Sequence, residues 1–220
     1  MIVFNNVTLK YPYDEFELLK GVSFTLHDGV NTILADGQSG KSSICKLLIK
    51  DIAPTSGQIV VDDMDIFGIT NSNLGILYLP RNPVLFQHRN VRYNLEYPLK
   101  LRKVSRPERQ ECVSKIAELF HLELDVKVSK LSSEQKRSLA LARGLTVKRK
   151  IALFDDFFDG GEQDLQNICN VLSNFDTCVL LSSNACLAMG HTVVLDGGFV
   201  VFEGDAQEAQ QVVGNLHWLS

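Results

Sequence analysis

Long apolar runs are missing from this chain: no uninterrupted stretch approaches the roughly 18 residues needed to cross a bilayer. The start, Met1-Ile2-Val3-Phe4-Asn5-Asn6, has neither the basic opening nor the apolar stretch of a secretory signal. Any membrane role is therefore expected to come through a partner. Basic surplus is missing too. With 22 Lys and Arg against 26 Asp and Glu, the formal net charge of −4 provides no electrostatic footprint for nucleic acid. Lys148-Arg149-Lys150 reads as a solvated loop before a strand. The five cysteines (Cys45, Cys112, Cys169, Cys178, Cys186) contain no C-x-x-C pair and are odd in number, the pattern of reduced small hydrophobes. There is no internal repeat and no low-complexity linker. What remains is an ordinary globular composition, 45% hydrophobic and 22% charged over 220 residues, enough for one domain or one domain with an insertion.

Periodicity divides the chain in three. The first third reads as β, with strands expected over Ile2–Leu9, Val22–Leu26, Val30–Leu34, Gln58–Val61 after the turn Pro54–Gly57, and the apolar run Leu74–Leu79. The middle is helical. Ser105-Arg106-Pro107-Glu108 has the spacing of a capping box, with Val113, Ile116, Ala117 and Phe120 following at helical intervals. A second helix is expected from Ser133 to Thr146. The last third alternates strand Ile151–Phe154, helix Gln163–Asn174, strand Cys178–Leu181, and a hairpin of Val193–Leu195 and Phe199–Phe202 around Gly197-Gly198. This order predicts an α/β core with a helical insertion at roughly 87–146.

Within that frame, Gly40-Lys41-Ser42 comes just after the run Asn31-Thr32-Ile33-Leu34, and Ala35-Asp36-Gly37-Gln38-Ser39-Gly40-Lys41-Ser42 fits a P-loop with alanine in the first glycine's place. A strand must turn sharply into a helix so that successive backbone N–H groups face a pyrophosphate. Gly40 lets the backbone approach closely, Lys41 reaches the β- and γ-phosphates, and the Ser42 hydroxyl is suited to Mg²⁺, with Ser43 next on the helix. About 110 residues on, the strand Ile151-Ala152-Leu153-Phe154 ends in Asp155-Asp156. In P-loop proteins such a strand end lies beside the phosphates, where Asp155 would hold Mg²⁺ together with Ser42. ATP and Mg²⁺ are the expected ligands.

Between these two segments lies Leu131-Ser132-Ser133-Glu134-Gln135, leading into Lys136-Arg137-Ser138-Leu139-Ala140-Leu141-Ala142-Arg143. Here the whole chain resembles the ATP-binding-cassette ATPases, the nucleotide-binding subunits of ABC transporters. Tyr11, before Leu18-Leu19-Lys20-Gly21-Val22, matches the aromatic that stacks on adenine in that family. Pro54-Thr55-Ser56-Gly57-Gln58-Ile59, Val91-Arg92-Tyr93-Asn94-Leu95 and the ending Val194-Leu195-Asp196-Gly197-Gly198 fit its order as well. The resemblance implies a single P-loop NTPase domain of ABC type over residues 1–220: a mixed sheet core, an antiparallel β part near the start and an inserted helical subdomain. It also implies Ser132, Ser133 and Gln135 facing the ATP of a second cassette, homologous or identical, and coupling to an integral membrane permease subunit near Arg81–Arg89.

Departures from the family pattern fall on the residues that do chemistry. Arg81 stands where the family has a glutamine that touches Mg²⁺ and the attacking water, and a guanidinium cannot ligate a metal. The general base, a glutamate in the family, is Asp156, whose carboxylate is shorter by one methylene. Asp159-Gly160-Gly161-Glu162 replaces the following turn, Ser183 the usual histidine, and Gln38 the loop's middle glycine. Ser133 and Glu134 replace both signature glycines. Facing a triphosphate, Glu134 is repulsive; turned to solvent, it is a helix-start carboxylate favoured by the dipole. Both orientations are open at the level of sequence.

The resemblance therefore supports an ATP-binding transporter subunit in which Lys41 and Asp156 act in weak hydrolysis. The substitutions keep a second reading in view, a catalytically impaired regulatory or structural module that binds ATP. A soluble ATPase of repair or translation fits less well, because such proteins carry paired cassettes or long insertions.

Overall fold

Alternation builds the first sheet. In β1 (Ile2–Leu9) the side chains of Ile2, Phe4, Val7 and Leu9 are buried, and Asn6 at φ 46° marks a shift of register. β1 pairs antiparallel with β2 (Leu19–Leu26) on one side and β4 (Ser56–Val61) on the other, and the short β5 (Met64–Asp65) completes the order β2-β1-β4-β5. The computed structural model describes residues 1–37, 39–158 and 171–216. The chain divides into two compact units, Met1–Tyr78 with Lys150–Ser220, and Leu79–Arg149.

The second sheet of the first unit has the order β10-β9-β3-β8-β7-β6. It contains β3 (Gly29–Ala35), β6 (Ile76–Pro80), β7 (Ile151–Asp155), β8 (Thr177–Ser182), β9 (His191–Asp196) and β10 (Phe199–Asp205). β7, β8, β3 and β9 run parallel, and β10 returns antiparallel to β9. Every residue of β7 and β8 is buried, which explains why both read as near-continuous apolar runs rather than alternating ones. The register aligns Asp155 with Leu181, and Leu34 with Ser182, so β3, β7 and β8 end on one edge of the sheet. In open parallel sheets that carboxyl edge is where ligands bind.

β3 faces two cores. Ile33 and Ala35 pack with Ile44, Leu47 and Leu48 of α1 (Lys41–Leu48) and with Ile2 and Phe4 of the first sheet. Leu34 faces the other way, into Val194 and the Ala209 and Val213 side chains of α6 (Ala206–Asn215). Each fully buried Leu or Ile contributes about 1.5–3 kcal/mol relative to exposure, so α1 is held against the sheet mainly by its apolar face.

The expected strand Leu74–Leu79 begins later. Residues Asn71–Leu74 form a short helix, α2, whose Thr70 cap accepts a hydrogen bond from the Asn73 amide. Gly75, at φ 59°, terminates it in the left-handed conformation that suits glycine, and β6 starts at Ile76. Residues 163–170 of the expected helix Gln163–Asn174, and the turn 159–162, lie outside the described residues.

In the second unit α3 (Val91–Leu101), α4 (Arg106–Leu119) and α5 (Ser133–Leu145) pack pairwise. The Ser105/Glu108 capping box opens α4, and Ser132 caps α5. Asn94, wholly buried in α3, accepts from the Phe86 amide at 2.9 Å and donates to the Phe86 and Asn90 carbonyls, which fixes the preceding loop. Among the described residues no helix is long and apolar enough to cross a membrane.

Candidate functional site

The carboxyl edge of the parallel strands collects the polar residues of interest. β3 ends at Ala35, and the chain enters α1 through Gly40 at φ 89°. A side chain there would be strained, and its Cβ would lie 2.9 Å from Leu19 Cδ2. Among the described residues no side-chain cap is seen on α1, and its first turn has no acidic residue, so the positive end of its dipole faces the loop where an anion is favoured. In the same loop the Ser39 hydroxyl donates to the Asp36 carboxylate, while Gln38 lies outside the described residues.

Lys41 is buried at 5% exposure, and its ammonium donates to the Ala35 carbonyl at 2.7 Å, the Asp36 carbonyl at 2.6 Å and the Ser183 hydroxyl at 2.9 Å. Burial pulls its pKa below the ordinary 10.5, while the carboxylates of Asp156, Asp36 and Asp155 oppose that fall, Asp156 most strongly. Ser183, which follows β8, thus has a contact that spacing did not suggest: it accepts a hydrogen bond from the P-loop lysine. The Ser42 hydroxyl donates to Asp155 Oδ1 at 3.1 Å. Asp155 is 6% exposed at the end of β7. Its second oxygen, Oδ2, accepts from the Tyr78 hydroxyl at 3.0 Å. Burial first, and then the neighbouring Asp155 charge, push the Tyr78 phenol well up from its ordinary 10.0, so it stays a proton donor.

Asp156 turns the chain out of β7 at φ 46°, a left-handed conformation that aspartate tolerates better than most residues, with its amide donating to the Leu181 carbonyl at 2.9 Å. Tyr11 is half-buried beside α1. Its hydroxyl lies 3.0 Å from Ser43 Oγ, and the Lys46 ammonium stands 5.6 Å from the centre of its ring. The first unit therefore brings Tyr11, Asp36, Ser39, Gly40, Lys41, Ser42, Ser43, Asp155, Asp156 and Ser183 to α1 and the strand ends beside it. Gly37 sits in the loop between β3 and α1.

The remaining sequence candidates belong to the second unit. Ser132 Oγ accepts from the Gln135 amide at 3.1 Å and Gln135 Oε1 accepts from the Ser132 amide at 3.0 Å, a reciprocal cap at the start of α5. Ser133 is the first residue of that helix, and Glu134 is exposed in its first turn. Arg81 is exposed just after β6. Sequence reasoning missed Tyr78. Its only local signal is a polar-tipped aromatic near the carboxyl end of an otherwise apolar strand, Leu77-Tyr78-Leu79.

A family model described as ABC transporter matches residues 19–159. The molybdate/tungstate import ATP-binding protein WtpC of Pyrococcus horikoshii is 34% identical over 149 residues, covering 66% of this chain and 43% of its own length. The Fe(3+) ions import ATP-binding protein FbpC of Pasteurella multocida is 35% identical over 127 residues, 57% of this chain and 36% of its own. The chain thus spans less than half the length of these relatives. Among solved structures, an ATP-bound bacterial Atm1-family ABC exporter superposes with a TM-score of 0.79 at 25% identity, over 96% of this chain and 40% of the exporter. The ATP-binding cassette MJ0796, in a post-hydrolysis dimer with ADP and Pi, matches with a TM-score of 0.79 at 22% identity, over 94% of this chain and 99% of the cassette, and so shares its fold. The fold is that of the ABC-type P-loop ATPases, and with more than half of its residues matched the chain belongs to the ABC transporter family.

Proposed function

We propose that the chain is the ATP-binding subunit of an ABC-type transporter, binding Mg-ATP and coupling closure on a second cassette to a membrane permease subunit, with weak hydrolysis. The observation that carries this reading is Lys41 at the uncapped start of α1 with Ser42 hydrogen-bonded to Asp155. Lys41 binds the terminal phosphates in exchange for its present carbonyl and hydroxyl acceptors. A hydroxyl and a carboxylate oxygen side by side fit Mg²⁺, which takes few protein ligands and completes its shell with phosphate oxygens and water. When bound, the ion would neutralise charge that develops on the phosphates. Tyr11, beside Ser43, is the side chain offered to adenine. Asp156 is the base that orients water, one methylene short of the usual glutamate, and such misplacement costs on the order of a hundredfold.

The second unit offers a surface for the permease. Val84, Phe86, Tyr97 and Leu101 line a groove of about 470 Å³ together with Arg102, Arg143 and Arg149. No carboxylate is among its described lining residues. Burial lowers the Arg149 pKa, and the Arg102 charge adds to that fall. An apolar segment bearing carboxylates, presented by a membrane partner, relieves both the exposed hydrophobes and the crowded positive charge.

A second reading, an ATP-binding regulatory or structural module with negligible turnover, is favoured by one contact: Lys41 donates to Ser183, where the family pattern has a histidine. Single-turnover hydrolysis with protein in excess, alongside nucleotide binding, separates the two. Turnover abolished by Lys41→Ala and by Asp156→Asn is expected of a working subunit. Binding without turnover selects the module, and no binding at all rejects both.

A further inference from the structure

Asp155 is a buried carboxylate held at both oxygens by hydroxyls from different parts of the first unit. Ser42 donates to Oδ1 at 3.1 Å from α1, and Tyr78 donates to Oδ2 at 3.0 Å from β6. At 6% exposure Asp155 has little access to bulk water that would replace either donor. The Tyr78 ring is partly buried and packed against the core that includes Ile44 and Leu153, so its hydroxyl is aimed by packing and not by a flexible stem. We propose that Tyr78 is a positioning residue for the metal–nucleotide site: its hydroxyl holds Oδ2 of Asp155 so that Oδ1 stays turned toward Ser42.

The physical case rests on rotation about the Asp155 side chain. A carboxylate is symmetric, with about four lone-pair sites, and an unrestrained one presents either oxygen to a cation. With Oδ2 occupied by a rigid phenol, one oxygen and one direction remain for the ion that Ser42 shares. Groups that orient a metal ligand in this way are worth about 10–100-fold in metal affinity or activity, although they touch neither metal nor substrate. Tyr78 contacts no phosphate in this scheme, so its effect is confined to the metal-dependent part of nucleotide binding. That confinement separates positioning from general support of the fold. The inference rests on the proposed Mg-ATP role of Ser42 and Asp155.

The test is nucleotide affinity by calorimetry, measured with Mg²⁺ and again in chelator, for the full chain carrying Tyr78→Phe or Tyr78→Met. Both variants fill the space without a donor, so a folding failure in one leaves the other. The expected result is about tenfold weaker ATP binding with Mg²⁺ and unchanged binding in chelator. Mn²⁺ spectra of the nucleotide complex should show weaker ion retention in the same variants. In an Asp155→Asn background, adding Tyr78→Phe should change nothing further. Equal affinity in both conditions, or an equal loss in both, overturns the positioning role while leaving the nucleotide site intact. A wild-type chain whose ATP affinity ignores Mg²⁺ overturns the assignment of Ser42 and Asp155 and this inference with it.

Discussion

Among the described residues three oxygens hold the Lys41 ammonium: two carbonyls of its own loop and the Ser183 hydroxyl, 142 residues away in the chain. The carbonyl contacts belong to the loop that any P-loop lysine follows. The Ser183 contact comes from beyond the end of β8 and, under the proposed nucleotide role, is exchanged when the lysine turns to phosphate. Removing it raises the energy of the nucleotide-free state without touching the loop. Ser183→Ala is therefore expected to tighten ATP binding, by roughly fivefold if the bond is worth about 1 kcal/mol. Calorimetric titration of the variant checks this, and weaker binding would instead make Ser183 a phosphate contact. The placement of Lys41 and Ser42 at the start of α1 was legible in the sequence because strand, loop and helix are contiguous. Ser183 and Tyr78 act through contacts across 142 and 77 residues, and no spacing rule reaches so far.

Elements carry those residues, and their junctions decide whether the site forms. The strands of the first third were readable from alternation, as in the buried Ile2, Phe4, Val7 and Leu9 of β1. The apolar run Leu74–Leu79 was not, because its first residue closes a helix and Gly75 separates helix from strand by a positive φ that hydropathy does not encode. Gly40 has the same kind of role at the start of α1, with far more depending on it. Its φ of 89° and the 2.9 Å approach of Leu19 to a would-be Cβ make Gly40→Ala unfavourable on two counts. Strained backbone of this kind costs about 1–3 kcal/mol. The variant should lose that much stability in urea titration, and its ATP affinity should fall further than Lys41→Ala alone would lower it, since both the amides and the lysine are displaced. Normal binding by a fully folded Gly40→Ala chain would show that α1 starts elsewhere when nucleotide is bound.

At the scale of the whole molecule, the proposed nucleotide site and the proposed permease surface belong to different compact units. The first unit contains Lys41, Ser42 and Asp155, the residues proposed for Mg-ATP, at the carboxyl edge of its parallel sheet. The second holds a groove in which exposed Val84 and Leu101 lie near Arg102, Arg143 and Arg149. Arg143 is the structural member of that trio, donating to the Val84 carbonyl at 2.7 Å, and burial lowers its pKa from the ordinary 12.5. Among the described residues Arg102 and Arg149 show no such hydrogen bond, which makes them the residues to reverse. If the groove receives a carboxylate-bearing segment of a membrane partner, Arg102→Glu with Arg149→Glu places like charges across the contact. Unfavourable juxtaposition of that kind costs several kcal/mol, so co-purification of any permease with the chain should fall at least tenfold. ATP affinity of the isolated chain should keep its value, because neither arginine belongs to the unit that holds Lys41 and Asp155. Quantitative mass spectrometry of membrane-extracted complexes, wild type against variant, provides the comparison. Undiminished capture would move the coupling surface away from this groove and leave the nucleotide site as the only functional feature the two readings share.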